Sequence, residues 1–525
     1  MKTLFLNPSF ERKGKLLNLY SRQSRSPCVT NGGTFYHPYY LAYGAGWTEH
    51  NGFKTWLVDA VASEWTHEFT VEQSKKYFTD GKGLIVMDTS TPSILNDIRQ
   101  ATKIKKVLPG VHIALMGIHP SNVPEETLIQ GKGAIDSVIR WEVDETALEL
   151  ARTLESGKPL TGVQGLVFME GQRGETGLQS SFQPRFVHNA PRPLIQDLDK
   201  LPFVSETYFK HLGEEGMKKY FYASLTWPEV TILTGRGCSY ACSFCHIPFK
   251  ASYRFRSPKN VADEFEYIKN ELPFISEIQL EDDTFPLNKQ RTVELCSEIV
   301  KRGIKIKWSC NARVNTDHET LKSMKDAGCR LLCVGFESPE QEELNSVKKG
   351  TTAKMQETFM EDVKKIGLIT NGCFILGLPE DNEKSMQHTI DFAKKLMPDT
   401  AQFFPLMAYP GTGTFKWATE KGFLTTTDYD QWLDDEGKHN TLVSRPDLSN
   451  KELVEWADIA LKQYYSNPKY LAYKAFQSIK SPSEAVRTAK SAAIFFKRLA
   501  QIHGLKKEWQ KQPEVQKKEA VEVSV

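Results

Sequence analysis

Short apolar runs alternate with longer amphipathic stretches through the first 150 residues. Leu4–Leu6, Thr55–Ala60, Gly83–Asp88, His112–Gly117 and Ala134–Ile139 are each a few residues long. Runs of that length, bounded by Asn-Pro, Gly or Pro, read as buried strands. Between them, His37–Trp47 and Ser93–Leu108 carry helical patterning, the second with a capping residue at its start. Strands alternating with helices predict an open, mostly parallel, doubly wound sheet. Ligands of such sheets bind over the carboxyl ends of the strands, here the loops 89–93, 116–121 and 140–146.

The pattern changes further on. Residues 13–34 are polar and loop-like, and Gly165–Phe168 with Arg185–His188 predict a small hairpin around the Gly-rich stretch 171–177. Paired prolines keep residues 189–202 extended. Apolar runs then recur at Val230–Leu233, Ile278–Leu280, Ile304–Trp308, Leu331–Gly335 and Gly372–Gly377, separated by helical stretches such as Val261–Leu272. About six such units predict a partial (β/α)6 barrel with its site at the strand carboxyl ends. Leu453–Tyr465, Lys469–Ile479 and Ser483–Leu505 are helix-patterned. The last places Ala489, Ala492, Ala493, Phe496 and Ala500 on one face beside Lys490, Lys497 and Arg498. It reads as packed on the barrel, with contact to a lipid surface as the alternative. The expected divisions are 1–150, a linker 151–228, the barrel 229–425, a helical region 426–505 and a disordered Lys/Glu/Gln-rich tail 506–525.

Charge narrows the partners. With 67 basic and 65 acidic residues the net charge is +2, which gives no reason to expect nucleic acid. The opening Met1–Pro8 is too short in apolar residues for a signal peptide, and no window approaches the roughly 18 apolar residues of a membrane span. Of nine cysteines, Cys28, Cys296, Cys310, Cys329, Cys333 and Cys373 are scattered singly and read as buried small hydrophobes. That usage fits a reducing, cytoplasmic setting.

The other three stand together. Thr234–Cys245 contains Cys238, Cys242 and Cys245 in C-x3-C-x2-C spacing, with Gly235 and Gly237 allowing a tight turn. Three thiolates are one short of the usual four for an iron–sulfur cubane, which leaves one iron open to a chelating small molecule. The same residues with His246 make a zinc knuckle, the competing reading.

The cysteine loop, with Phe244 before its third cysteine, resembles that of the radical S-adenosylmethionine (radical SAM) superfamily. The resemblance implies a [4Fe–4S] cluster on the three cysteines. Its open iron would bind the amino and carboxylate groups of S-adenosylmethionine, whose reductive cleavage yields a 5′-deoxyadenosyl radical. It further implies S-adenosylmethionine contacts from Phe244, from Glu281 and Asp282 to the ammonium, from Asn311 and Arg313, from Glu337 and Ser338 to the ribose, and from Gly377 and Leu378 to the adenine. Arg313 is suited to bidentate contact with a carboxylate. Tyr253–Pro258 is typical of the cobalamin-type subfamily.

The first 150 residues resemble the cobalamin-binding Rossmann-like domain of that subfamily. Met116–Pro120 matches its Gly-Gly-x-His-Pro segment with Met116 for the first glycine. Arg140–Thr146 corresponds to Gly-Glu-Gly-Glu-x-Thr, with Trp141 and Val143 replacing glycines. The implied cobalamin contacts are Thr89, Ser90, Thr91, Met116, Gly117, His119 and Glu142. There is no Asp-x-His-x-x-Gly, so the lower face of the corrin is expected to carry no histidine, and His119 reads as a loop residue beside Pro120. The whole chain is similar to the cobalamin-type enzymes and closest to their hopanoid-biosynthesis-associated branch, through Thr89–Ser93, Trp308–Ala312, Met324–Asp326 and Phe374–Pro379. The resemblance implies hydrogen abstraction from an unactivated carbon of a lipid or polycyclic substrate, then cobalamin-dependent methyl transfer or rearrangement. A reductant such as flavodoxin or ferredoxin would supply the electron. Ring formation or contraction without methyl transfer, and a non-catalytic zinc- or cobalamin-binding module, remain the alternatives.

Overall fold

A computed structural model describes residues 1–30, 33–170, 185–480 and 489. Two compact units divide it, Met1–Tyr464 and the remainder from Tyr465. The expected helix Ser483–Leu505, apart from Ala489, together with the tail from Lys506 and the stretch 171–177, lies outside the described residues.

The first unit holds two large sheets. The strands β1 (Lys2–Asn7), β2 (Lys54–Asp59), β3 (Gly83–Asp88), β4 (Val111–Met116), β5 (Ser137–Ile139), β6 (Leu166–Glu170) and β7 (Arg185–His188) form one, in the order β2-β1-β3-β4-β5-β6-β7. The strands from β2 to β5 pair in parallel, while β6 and β7 add antiparallel. The expected linker hairpin is therefore the edge of this sheet. Continuous burial of β3 and β4 on both faces matches their unbroken apolar sequences.

The second sheet contains β8 (Glu229–Ile232), β9 (Glu277–Leu280), β10 (Lys307–Ala312), β11 (Cys329–Glu337), β12 (Ile369–Leu376) and β13 (Thr400–Pro405), parallel and in chain order. A helix stands between most successive strands, which makes an open six-stranded half-barrel. The predicted strand Ile304–Trp308 forms later, at Lys307–Ala312, because Ile304 finishes the turn after the helix Lys289–Lys301. The helix Pro258–Glu271 starts where Ser257 accepts a hydrogen bond from Asn260 N and Pro258 occupies the first turn. Within Tyr253–Pro258, Arg254 pairs with Glu142 and Arg256 with Glu264, so both arginines order the chain.

The segment 407–442 packs back on the first sheet. Met407, Tyr409, Tyr429, Trp432 and Leu442 share one core with Ile85, Ile113 and Val138. The second unit contains the helix Pro468–Lys480.

Candidate active site

The cysteine loop leaves β8 under tight restraint. The carboxylate of Asp282 accepts from Thr234 N and Thr234 Oγ1, both at 2.6 Å. Arg291 donates to Thr234 O at 2.7 Å. Gly237 follows at φ +91°, where an added Cβ would stand 2.3 Å from Ser252 O. No other residue fits that turn. The return is fixed by Cys238 N donating to Phe249 O and by Ser243 N donating to Val347 O.

Cys238, Cys242 and Cys245 consequently line one cavity of about 270 Å3. Phe244, Glu281, Asn311, Arg313 and Glu337 line it too, from the carboxyl ends of the strands. Asp282, Ser338, Gly377 and Leu378 do not. Asp282 is used up on Thr234, and Ser338 donates to the buried Glu343. Gly377 N and Leu378 N both donate to Asp381 Oδ2, and Leu378 packs with Val347 and Leu406.

Charge inside the cavity is paired. Arg25 Nη2 donates to Asp283 O at 3.1 Å, and Arg25 Nη1 lies 3.7 Å from Glu281 Oε1. Burial opposes the charge on Arg25, but Asp283 and Glu281 outweigh it and hold the guanidinium protonated. Burial pushes Asp283 up to about 6, against the pull of Arg25. Glu337 sits at φ +66° beside a bulge in β11, and Lys349 Nζ donates to its Oε1 at 2.6 Å. Gly335 makes room for this pair, since a Cβ there would lie 2.3 Å from Glu337 Oε1. The Arg313 guanidinium covers the Tyr240 ring at 3.6 Å, with Nη1 3.7 Å from Cys242 Sγ.

Several lining residues were not foreseen. Tyr20, Ser24, Arg25 and Ser26 come from the supposed polar loop and wall the cavity, with Tyr36 just beyond it. Ser26 Oγ lies 2.7 Å from His439 Nε2 and 3.3 Å from Tyr409 OH. Cys333 and Cys373 also face the cavity, whereas Cys28, Cys296, Cys310 and Cys329 are buried as expected. Alternation along β11 was the available signal, because Cys333, Gly335 and Glu337 share a face.

Among the described residues no three His, Cys, Asp or Glu side chains converge tightly enough for a single ion. The three thiols line one shared cavity, where a polynuclear cluster would be held. His246 is buried and stacked on Tyr409 at 4.7 Å, with its pKa lowered to about 3 by burial. Burial pushes Cys245 up to about 12; iron coordination would remove that proton outright.

The first sheet presents a second location. Its strand order reverses at β1, so its crevice lies outside Asn7 and Asp88. Arg22 donates there to Asn7 and Asp97, and Gln23 donates to Asp88 Oδ2. Met116 and Gly117 line the remaining space of about 20 Å3 with Asp88 and Trp141. Thr89 donates to Asp97, Ser90 and Ser93 form a capping box, and Thr91 Oγ1 lies 3.1 Å from His119 Nδ1. His119 is buried edge-on to Tyr429 at 4.6 Å and held neutral by burial. Glu142 accepts from Arg236 at 3.0 Å, Arg254 at 2.7 Å and Ile195 N at 2.7 Å. Two atoms are left unsatisfied here, Asp88 Oδ1 and His119 Nε2.

Residues 232–393 match the radical SAM superfamily. Over 450 residues the chain is 30% identical to an uncharacterized methyltransferase of Pyrococcus horikoshii, covering 85% of this chain and 91% of that one. The protein belongs to the radical SAM superfamily. As a radical SAM enzyme it uses a [4Fe–4S] cluster and S-adenosylmethionine, and the triad Cys238, Cys242 and Cys245 fits the cluster. An anaerobic magnesium-protoporphyrin IX monomethyl ester cyclase of Rubrivivax gelatinosus is 25% identical over 446 residues, 83% of this chain and 75% of the cyclase. A hopanoid C-3 methylase of Methylococcus capsulatus is 25% identical over 334 residues, 63% of this chain and 59% of the methylase. The fold is similar to that of the radical S-adenosylmethionine methyltransferase TsrM from Kitasatospora setae, with TM-score 0.65, 16% identity and 89% of each chain covered.

Proposed function

We propose that this radical SAM enzyme abstracts hydrogen from an unactivated carbon of a lipid or polycyclic substrate and methylates or rearranges that carbon with cobalamin. The carrying observation is that the cysteine triad and the polar strand ends face one cavity. The relatives support the substrate class: one is a hopanoid methylase and another acts on a protoporphyrin ester. A solved TsrM structure contains cobalamin and a [4Fe–4S] cluster.

In this reading S-adenosylmethionine, once on the cluster, supplies the radical. The protein's own groups do the rest. Glu281 and Asp283, balanced by Arg25, offer an anionic wall to an ammonium. Arg313 places positive charge beside Cys242, and Glu337 presents a carboxylate locked by Lys349. Cobalamin would rest against the carboxyl ends of the first sheet, where Asp88 Oδ1 and His119 Nε2 lack partners that corrin amides can supply. His119 is packed on Tyr429, which agrees with a corrin lower face free of histidine.

The test is anaerobic reconstitution with iron and sulfide, followed by assay of 5′-deoxyadenosine from S-adenosylmethionine and a low-potential reductant. Product release and corrinoid retention are expected. A Cys242→Ala variant that still releases 5′-deoxyadenosine overturns the cluster assignment. Turnover without transfer of label from methyl-labelled S-adenosylmethionine selects ring chemistry over methylation.

A further inference from the structure

Two thiols in the cavity lie outside the cluster triad. Cys333 on β11 and Cys373 on β12 both line it. In the parallel register Cys333 faces Asn371 and Gly335 faces Cys373, so the two thiols stand diagonally on neighbouring strands. Cys333 is the one that meets a phenol, with Tyr222 OH 3.4 Å from its Sγ. Asn371 Nδ2 donates to Tyr222 OH at 3.1 Å, and Asn371 Oδ1 accepts from Thr400 Oγ1 at 3.0 Å. The amide holds the phenol oxygen as an acceptor and leaves its O–H to point at the sulfur. The Tyr36 ring stands edge-on to Tyr222 at 5.1 Å, and Tyr20 edge-on to Tyr36 at 5.3 Å. Burial pushes the Cys333 thiol up to about 11 and Tyr222 well above its ordinary value, so both keep their protons at neutral pH.

An S–H bond is weaker than an aliphatic C–H bond, so hydrogen passes downhill from a thiol to a carbon radical; from a serine hydroxyl it does not. We propose that Cys333 donates a hydrogen atom to a carbon radical in the cavity and that Tyr222 then restores the thiol. The new C–H bond forms as the S–H bond breaks, which leaves a thiyl radical on Cys333. The Tyr222 O–H bond then breaks and the S–H bond reforms, which leaves a neutral tyrosyl radical. One electron from the flavodoxin- or ferredoxin-type reductant, with one proton from solvent, regenerates the phenol. Tyr36 and Tyr20 extend the path of the unpaired electron along the cavity wall. The donor ends radicals that have no methyl group to receive, a side reaction that an active site must contain. It rests on the radical chemistry of this enzyme and on no particular substrate.

The experiment gives the reconstituted full-length enzyme S-adenosylmethionine and dithionite in deuterium oxide, with no other substrate, so that the radical takes its hydrogen from the protein. Thiol and phenol hydrogens exchange with solvent and carbon-bound ones do not. Mass spectrometry should find deuterium in most of the 5′-deoxyadenosine released. Cys333→Ser keeps the side-chain shape and should lower that label about tenfold, whereas Cys373→Ser should keep it. Freeze-quenched wild type should show a tyrosyl signal by electron paramagnetic resonance that Tyr222→Phe removes. Before the cluster is installed, the infrared S–H stretch assigned to Cys333 by difference from Cys333→Ser should shift in Tyr222→Phe, which reads the hydrogen bond without turnover. Unlabelled 5′-deoxyadenosine from the wild type, or undiminished label from Cys333→Ser, overturns the donor and leaves the radical reading in place. No 5′-deoxyadenosine from the wild type overturns both. A tyrosyl signal that survives Tyr222→Phe, or an unmoved S–H stretch, overturns the part given to Tyr222.

Discussion

The guanidinium of Arg236 grips the carboxylate of Asp144 through two hydrogen bonds, Nη1 to Oδ2 at 2.7 Å and Nη2 to Oδ1 at 3.1 Å. Arg236 lies two residues before the first cluster cysteine, and Asp144 opens a helix of the first sheet's layer. The pair is buried, and the rings of Tyr43 and Tyr40 lie 5.0 Å and 5.6 Å from the guanidinium. It ties the cluster loop to the neighbouring sheet. Arg236→Ala leaves Asp144 and Glu142 buried with less compensation, and should cost ~3–5 kcal/mol. Denaturant unfolding measures the loss, and iron content after reconstitution should fall with it.

Gly237→Ala tests the turn itself. Its φ of +91° and the contact with Ser252 O leave no room for a methyl group. The strain should cost about 1–3 kcal/mol and fall on the loop. The expected result is a folded protein, by circular dichroism, that retains little iron.

Asp381 carries a pH dependence. Burial first, and then the neighbouring Glu343, push its carboxyl up to about 8. A folded-state value above the unfolded one gives stability that is complete in acid and is lost as pH rises through the folded value. Thermal stability should therefore fall between pH ~4 and ~8, and Asp381→Asn should flatten that slope. Asp381 also holds Gly377 N and Leu378 N, so the variant's KM for S-adenosylmethionine reports whether that turn moves.

Arg25→Ala removes the cation facing Asp283 and Glu281. Asp283, already pushed up to about 6, should rise further, because Arg25 is the group that lowers it most. The acid limb of the pH profile for 5′-deoxyadenosine release should move to higher pH. The rate at neutral pH should fall about tenfold.

Much of this architecture was legible in the chain. Unbroken apolar runs such as Gly83–Asp88 have one stable home, a strand covered on both faces. The cysteine spacing named its own chemistry, because three thiols on a short loop have few other uses. What escaped reading came from distant segments. Nothing local to Arg25 says that it will meet Asp283, since the loop 13–34 has no periodicity and its position is set by Arg22 on Asp97 and Gln23 on Asp88. Asp282 and Ser338 stand outside the cavity lining for the opposite reason. Their side chains suit a ligand, yet backbone and carboxylate groups nearby need them more. Cys333 and Cys373 resemble core residues by type and differ only in which face of their strands they occupy.

Ser26 meets both Tyr409 and His439, so the cavity wall is closed by groups more than 380 residues apart in the chain. A nascent polypeptide cannot build that wall until nearly all of it has left the ribosome.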